Sequence, residues 1–240
     1  MKILNIAHRG YSGKFDENTM LAFEKSIEYN ADGIETDVQM SKDGFLVLIH
    51  DETLDRTIDG KGYVKDYTLA ELKRFKTKNG EEIPTLKELL ELVSKSNLKV
   101  LNLELKNSIL PYEGLEEKVL DMIKEYNLKE RIIISSFNHL SLSKIRKFDK
   151  EIKLGALTSS TLANVPEYLW QISVECYHPF FPSILNEEYI KEIKNAGIMV
   201  NPYTVNMEEH MKMVIKAGVD SIITNEVETL NKILYGYIEM

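Results

Sequence analysis

The residues with most chemical potential in this chain are three acids at strand-like spacing. Gly33-Ile34-Glu35-Thr36-Asp37-Val38 reads as a β-strand. Alternate residues of a strand share a face, so Glu35 and Asp37 point the same way, about 6–7 Å apart at their Cα atoms. Ile34, Thr36 and Val38 point the other way, toward packing helices. Leu101-Asn102-Leu103-Glu104-Leu105-Lys106 repeats the device. Its leucines face helices, which turns Asn102, Glu104 and Lys106 to the opposite face. Taken singly, each segment has a plainer reading, as acids at a strand end or a Glu104–Lys106 ion pair at a rim. Together, Glu35, Asp37 and Glu104 are three hard oxygen donors converging from adjacent strands. Buried carboxylates need a positive partner. The set suits one divalent cation, Mg²⁺ or Ca²⁺ with Mn²⁺ also fitting, because no His-x-His pair and no cysteine cluster offers zinc a softer site.

Two histidines join them. Ala7-His8-Arg9-Gly10 closes the first strand-like run, and His50-Asp51 closes a segment at 45–50. The turn Ser41-Lys42-Asp43-Gly44 folds that segment back on 33–40 as a hairpin, with Gly44 supplying the positive φ. His50 is then expected roughly opposite Glu35. Arg9 offers a planar fork and Lys106 a point charge to a phosphate. The chemistry this implies is phosphodiester cleavage. Arg9, Lys106 and the cation neutralise the anion, one histidine accepts a proton, and the other donates one. The residues leave open which histidine does which. His178 after a later strand is a further candidate at the rim, with a structural histidine as the competing reading. Phe137 and Tyr203 are candidate pocket-lining residues, with core packing as the alternative. His139 and His210 fall on helical patterns and are expected to face solvent. Cys176 reads as a small buried apolar group. Ser135-Ser136 has no G-x-S-x-G context, and neither a P-loop nor G-x-G-x-x-G occurs.

The elements that must position these groups follow from periodicity. Strands are expected at 3–7, 33–38, 99–105, 131–135, 152–156, 172–177, 198–205 and 219–224. Helices are expected at 18–30, 85–96, 115–126, 138–148, 163–169, 186–196, 208–217 and 226–237. Eight β/α units argue for a closed (β/α)8 barrel, whose active site lies at the carboxyl ends of its strands. Asn186 is the expected N-cap of the helix at 186–196, and Gly197 and Gly218 are expected helix stops. The polar stretch 51–83 reads as a small insertion over one end of a single domain spanning 1–240. At 240 residues the chain can bury a full core. A formal charge of -8 argues against nucleic acid and anionic membranes as partners. One cysteine, no signal-like leader and no long apolar run predict a cytoplasmic protein without stable membrane insertion.

At this level of detail the chain resembles the glycerophosphodiester phosphodiesterase family. The matching pieces are His8-Arg9-Gly10, Glu17-Asn18-Thr19, Gly33 through Val38, Lys42-Asp43-Gly44, Val47 through Asp51, Leu54-Asp55-Arg56-Thr57 and Gly60-Lys61-Gly62. Pro84-Thr85-Leu86, Glu104-Leu105-Lys106, Ser135-Ser136-Phe137, Tyr203 through Asn206 and Ile222-Ile223-Thr224 continue the series in family order. The resemblance implies a TIM barrel with an insertion after His50. It implies metal ligation by Glu35, Asp37 and Glu104, phosphate binding by Arg9 and Lys106, and an acid–base pair of His8 as first-step base and His50 as acid. In that mechanism the glycerol 2-hydroxyl attacks phosphorus, and a cyclic phosphate is then hydrolysed to sn-glycerol 3-phosphate. Glu17 would orient its loop. Two positions depart from the common pattern: Tyr203 stands where many members have Trp, and Asn225 where many have Asp. The departures bear on alcohol preference more than on the chemistry.

The leading expectation is hydrolysis of small-molecule glycerophosphodiesters. Competing readings are a lysophospholipase D acting on single-chain lipids, a phospholipase C that stops at a cyclic product, and a non-catalytic phosphate-ester binding barrel. Mere binding needs no acid–base pair, and 51–83 is too polar to suggest a lipid groove.

Overall fold

The structure, a computed structural model, describes residues 2–236. The strands are β1 Leu4–His8, β2 Gly33–Met40, β3 Leu46–Leu48, β4 Val100–Leu105, β5 Ile132–Ser136, β6 Lys153–Thr158, β7 Cys176–Pro179, β8 Met199–Val200 and β9 Ser221–Thr224. All but β3 are parallel and pair in the order β8-β7-β6-β5-β4-β2-β1-β9. The ring closes between its ends. Asp220 N–H donates to the Val200 carbonyl at 2.9 Å, Ile223 N–H to Pro202 at 3.0 Å, and Val205 N–H to Ile223 at 3.0 Å. This is the expected barrel.

The helices are α1 Met20–Glu28, α2 Leu69–Leu72, α3 Leu86–Ser94, α4 Leu115–Glu125, α5 His139–Phe148, α6 Val165–Gln171, α7 Glu187–Asn195, α8 Glu208–Ala217 and α9 Val227–Tyr235. Each expected helix is present. The last was expected to run to 237, a position outside the described residues. α3 shows why the pattern was readable. It buries Leu86, Leu89, Leu90 and Val93 on one face, and Thr85 with Glu88 forms a capping box. Asn186 caps α7 by accepting from Glu188 and Tyr189 N–H, and Gly218 ends α8 at φ 85°. None of the described helices is long and apolar enough to cross a membrane.

Two strand expectations were too long. Ile172 and Ser173 form the turn that ends α6, with Ser173 at φ 55°, so β7 starts only at Cys176. The run 198–205 pairs as a ladder only at Met199–Val200: Asn201 and Tyr203 N–H still donate to the Tyr177 and Pro179 carbonyls, but Pro179 has no N–H to return to Asn201.

The outward faces of the strands form the main core with the helices: Ile34 and Val38 of β2, Leu101, Leu103 and Leu105 of β4, Ile132 and Ile134 of β5. The 51–83 segment has its own apolar cluster. Leu54, Ile58, Val64, Leu72 and Ile83 pack with Val47 and Ile49 of the hairpin arm. This segment is therefore seated on the same arm that carries His50. Cys176 is fully buried.

Candidate active site

The register assembles the site. His8 pairs across β1–β2 with Glu35, and Asp37 across β2–β4 with Glu104. Their side chains share the interior face at the carboxyl end. The carboxylates of Glu35, Asp37 and Glu104 are buried, and one oxygen of each lies within 4.8 Å of the others. The hairpin turn is as expected, with Gly44 at φ 85°. Val38 opposes Leu48, and Ile49 N–H donates to the Asp37 carbonyl at 3.2 Å. Continuing that register sets His50 across from Thr36, one position from the expected Glu35. The mouth is still reached. Lys106 Nζ lies 3.2 Å from His50 Nε2 and donates to Glu104 Oε1 at 3.0 Å.

Arg9 is held in a costly backbone conformation. Its φ is 56°, a region a non-glycine residue occupies at about 1–3 kcal/mol. Three contacts hold it there. Its N–H donates to Glu35 Oε2 at 3.0 Å, its Nη1 to Glu17 Oε1 at 2.8 Å, and its carbonyl accepts from Asn18 N–H at 2.9 Å. Its Nε lies 3.3 Å from Asp37 Oδ2. Gly10 follows at φ 76°, where a Cβ would stand 2.8 Å from Ala22, so only glycine lets α1 pack this closely.

The electrostatics are those of a crowded anionic site. Burial raises Glu35 well above the usual carboxylate range, and Asp37 and Glu104 add to it. Burial and Asp37 push Glu104 up to about 7 against the pull of Lys106. Asp37 goes the other way. Burial would raise it, but Arg9, His50 and Lys106 together hold it down. Three buried carboxylates that repel one another, within reach of a single ion, fit a hard divalent cation in donor type, number and charge.

The two histidines differ. His8 Nδ1 lies 2.7 Å from Asn225 Oδ1, which can only accept, so Nδ1 carries the proton and Nε2 keeps its lone pair. Burial and the adjacent Arg9 lower His8 to about 4. His8 is thus a neutral imidazole with a free acceptor, 3.9 Å from Glu35 Oε2. His50 Nδ1 instead meets Asp51 Oδ1 at 2.6 Å. Burial would raise Asp51, but hydrogen bonds from Arg56 and His50 outweigh it and hold it at about 2.

The remaining candidates divide. Glu17 lies in the cluster, bridging Arg9 and Arg56. Phe137 and Tyr203 meet edge to face with ring centroids 5.9 Å apart, just beyond β5 and β8. Phe137 is partly exposed, and Tyr203 donates its hydroxyl to the Thr158 carbonyl at 3.0 Å. His178 does not join them. It lines a cavity of about 150 Å³ with Leu4, Val100, Ile132, Lys153 and Ser221, residues that begin their strands, so it faces the amino end of the barrel. Its place on β7 turns it inward but one layer too low. His139 is not free in solvent either, since it bonds the Tyr168 hydroxyl at 2.6 Å and the Leu157 carbonyl at 2.9 Å. His210 lies against Phe181 with centroids 4.8 Å apart.

Sequence reasoning gave no role to Asn18, Asp51 or Arg56, and marked Asn225 only as a departure from the family pattern. Asn18 donates to Asp37 Oδ2 at 2.8 Å and accepts from Thr36 Oγ1 at 2.6 Å, clamping β2 to the turn before α1. Asn225 had a signal, as the residue directly after β9 at the same mouth.

Fold and site together define a barrel hydrolase built for an anionic ester, with paired imidazoles at a triacidic centre. Residues 8–229 match the glycerophosphoryl diester phosphodiesterase family. A Caldanaerobacter subterraneus protein named glycerophosphodiester phosphodiesterase is 47% identical over 237 residues, 96% of this chain and 97% of its own. A crystal structure of a Thermotoga maritima glycerophosphodiester phosphodiesterase superposes with a TM-score of 0.83 at 32% identity, covering 97% of this chain and 99% of that one. The structure of an Oleispira antarctica phosphodiesterase in complex with the product sn-glycerol-3-phosphate superposes with a TM-score of 0.85 at 31% identity, covering 95% of each chain. This chain belongs to the glycerophosphoryl diester phosphodiesterase family.

Proposed function

We propose that this protein hydrolyses glycerophosphodiesters to sn-glycerol 3-phosphate and an alcohol, with one divalent cation held by Glu35, Asp37 and Glu104. The observation that carries this reading is the convergence of two differently partnered histidines, two cations and three buried carboxylates at one mouth. The product bound by the Oleispira antarctica relative supports the substrate class. A bound divalent cation supplies positive charge to the phosphate oxygens.

The chain's own residues supply the rest. Arg9 and Lys106 grip the phosphate. His8, neutral with a free Nε2, accepts the proton of the glycerol 2-hydroxyl as that oxygen attacks phosphorus. His50 donates a proton to the departing alcohol as its bond to phosphorus breaks. The cyclic phosphate is then opened by water with the two roles reversed. Phe137 and Tyr203 line the alcohol-binding side of the pocket. A cytoplasmic location suits a chain whose one cysteine is a buried free thiol.

Incubation with glycerophosphocholine, glycerophosphoethanolamine and a lysolipid, with and without Mg²⁺ or Ca²⁺, tests the reading. Release of sn-glycerol 3-phosphate from the first two is expected. Faster turnover of the lysolipid would move the assignment to a lysophospholipase D. Full turnover after EDTA treatment would remove the cation from the mechanism.

A further inference from the structure

Five charged or ionisable side chains form an unbroken chain across the mouth: Arg9, Glu17, Arg56, Asp51 and His50. Its middle member belongs to the insertion. Arg56 donates from Nε to Asp51 Oδ2 at 2.5 Å and from Nη2 to Asp51 Oδ1 at 3.0 Å. The same guanidinium donates from Nη1 to Glu17 Oε2 at 3.0 Å and from Nη2 to Glu17 Oε1 at 2.7 Å. Glu17 Oε1 also takes Arg9 Nη1, and Asp51 Oδ1 also takes His50 Nδ1. One planar fork therefore reaches the partner of each flanking group.

An isolated ion pair on a half-exposed arginine contributes little, but a guanidinium forked onto two carboxylates fixes their direction. Asp51 needs that help. Its main chain is already anchored, because Gln39 Nε2 donates to the carbonyls of Ile49, His50 and Asp51, the last at 2.6 Å. Among the described residues its side chain has no partner besides Arg56 and His50, so without Arg56 the carboxylate is free to swing off the imidazole. Folding of the insertion does not hang on the same contact. Asn79 Nδ2 donates to Asp16 Oδ1 at 2.8 Å, and the apolar cluster around Leu54 and Leu72 is independent of Arg56.

We propose that Arg56 is a positioning residue of this site, fixing the Asp51 carboxylate on His50 Nδ1 and so aiming His50 Nε2, while its other contacts fix Glu17 and through it Arg9. It touches no reacting atom. The inference rests on the reading of His50 as a proton-transfer group, and it assigns the insertion a part in the chemistry.

The test compares wild type with Arg56→Ala and Arg56→Lys, using glycerophosphocholine at saturating Mg²⁺. For Arg56→Ala, kcat is expected to fall about 10- to 100-fold, the usual effect of slight misalignment, with little change in KM. Guanidinium ion at a sub-denaturing concentration should restore part of that kcat and leave wild type unaffected. Arg56→Lys should fold normally yet stay slow, because an ammonium cannot span both carboxylates. Independently of turnover, the His50 Nδ1–H proton should resonate far downfield in wild type and lose that position in Arg56→Ala. Unchanged kcat with an unmoved His50 signal overturns the proposal. So does a loss that follows thermal stability and resists guanidinium rescue. If the downfield proton is present in wild type and lost in Arg56→Ala, but wild type hydrolyses no glycerophosphodiester, the catalytic reading fails while the positioning of His50 by Arg56 stands.

Discussion

His8 and His178 are a natural pair for comparison. Both sit inside the barrel, both are held by an asparagine, and burial lowers both, to about 4 and about 3. By those measures they are alike. Their surroundings are not. His8 stands at the carboxyl end of β1 among Arg9, Glu35, Asp37 and His50. His178 stands over the amino-end cavity beside Asn102, Asn201 and Ser221. Their protons are also placed oppositely. Asn225 Oδ1 takes the Nδ1 proton of His8 and leaves Nε2 as a base, whereas Asn201 Nδ2 donates to Nε2 of His178 at 3.0 Å. His178 Nδ1 then carries the proton and, among the described residues, has no partner. A buried, neutral histidine is thus not yet a site. It becomes one when a free lone pair faces charge at the end of the barrel where loops admit a substrate.

The comparison breaks first on the cation and the histidines. Removal of divalent ions with EDTA should abolish turnover, and Mg²⁺ or Ca²⁺ should restore it. His8→Ala and His50→Ala should each lower kcat about 10²- to 10⁴-fold, the range of general acid–base catalysis. His178→Ala should turn over glycerophosphocholine close to the wild-type rate while melting at a lower temperature. A slow His178→Ala with unchanged melting would return His178 to the active site.

A smaller effect sharpens the same contrast. Asn225→Ala removes the acceptor that fixes the proton of His8 on Nδ1. Its kcat should fall about 10- to 100-fold with little change in KM, since only the aim of the base is lost. Asn225→Asp, which keeps an acceptor in place, should retain most of the rate. Equal losses in the two variants would mean that Asn225 contributes packing rather than orientation.

These residues also mark what the sequence could carry. Glu35, Asp37, Glu104 and Lys106 were legible because strand alternation is a local rule, and leucines on the opposite face declare which side is the interior. His50 was legible because Gly44 fixes the turn, although the register came out one residue away. Asn225 and the Glu17 arm of Arg56 were hidden because those partners are distant in sequence. Arg56 meets Glu17 39 positions away, and His8 meets Asn225 217 positions away. No periodicity encodes such a meeting. His178 failed for a related reason. Alternation said that it points inward, but its height in the barrel depends on how strand registers accumulate from β1 to β7. A slip of one layer exchanges the mouth for the floor.

The smallest expected effect concerns acid stability. His178 titrates near 6.5 in the unfolded chain and at about 3 in the folded one, burial being the cause. Between those values the unfolded chain binds a proton that the folded chain refuses. Stability therefore falls as pH drops from about 6.5 to about 3, and this contribution is fully present only above 6.5. His178→Gln removes the refused proton while keeping an amide to meet Asn201. The gap in melting temperature between pH 7.5 and pH 4.5 should then narrow by up to roughly 5–10 °C, from about 1.4 kcal/mol per pH unit below 6.5 and about 2–4 °C per kcal/mol for a chain of this size. His8 and the paired carboxylates leave the remainder of the acid lability in place, so the gap should shrink without closing. An unchanged gap would mean that His178 gains a proton without unfolding the barrel. That requires a route for water through the amino-end cavity to its unpartnered Nδ1, and solvent exchange of that proton would then be fast.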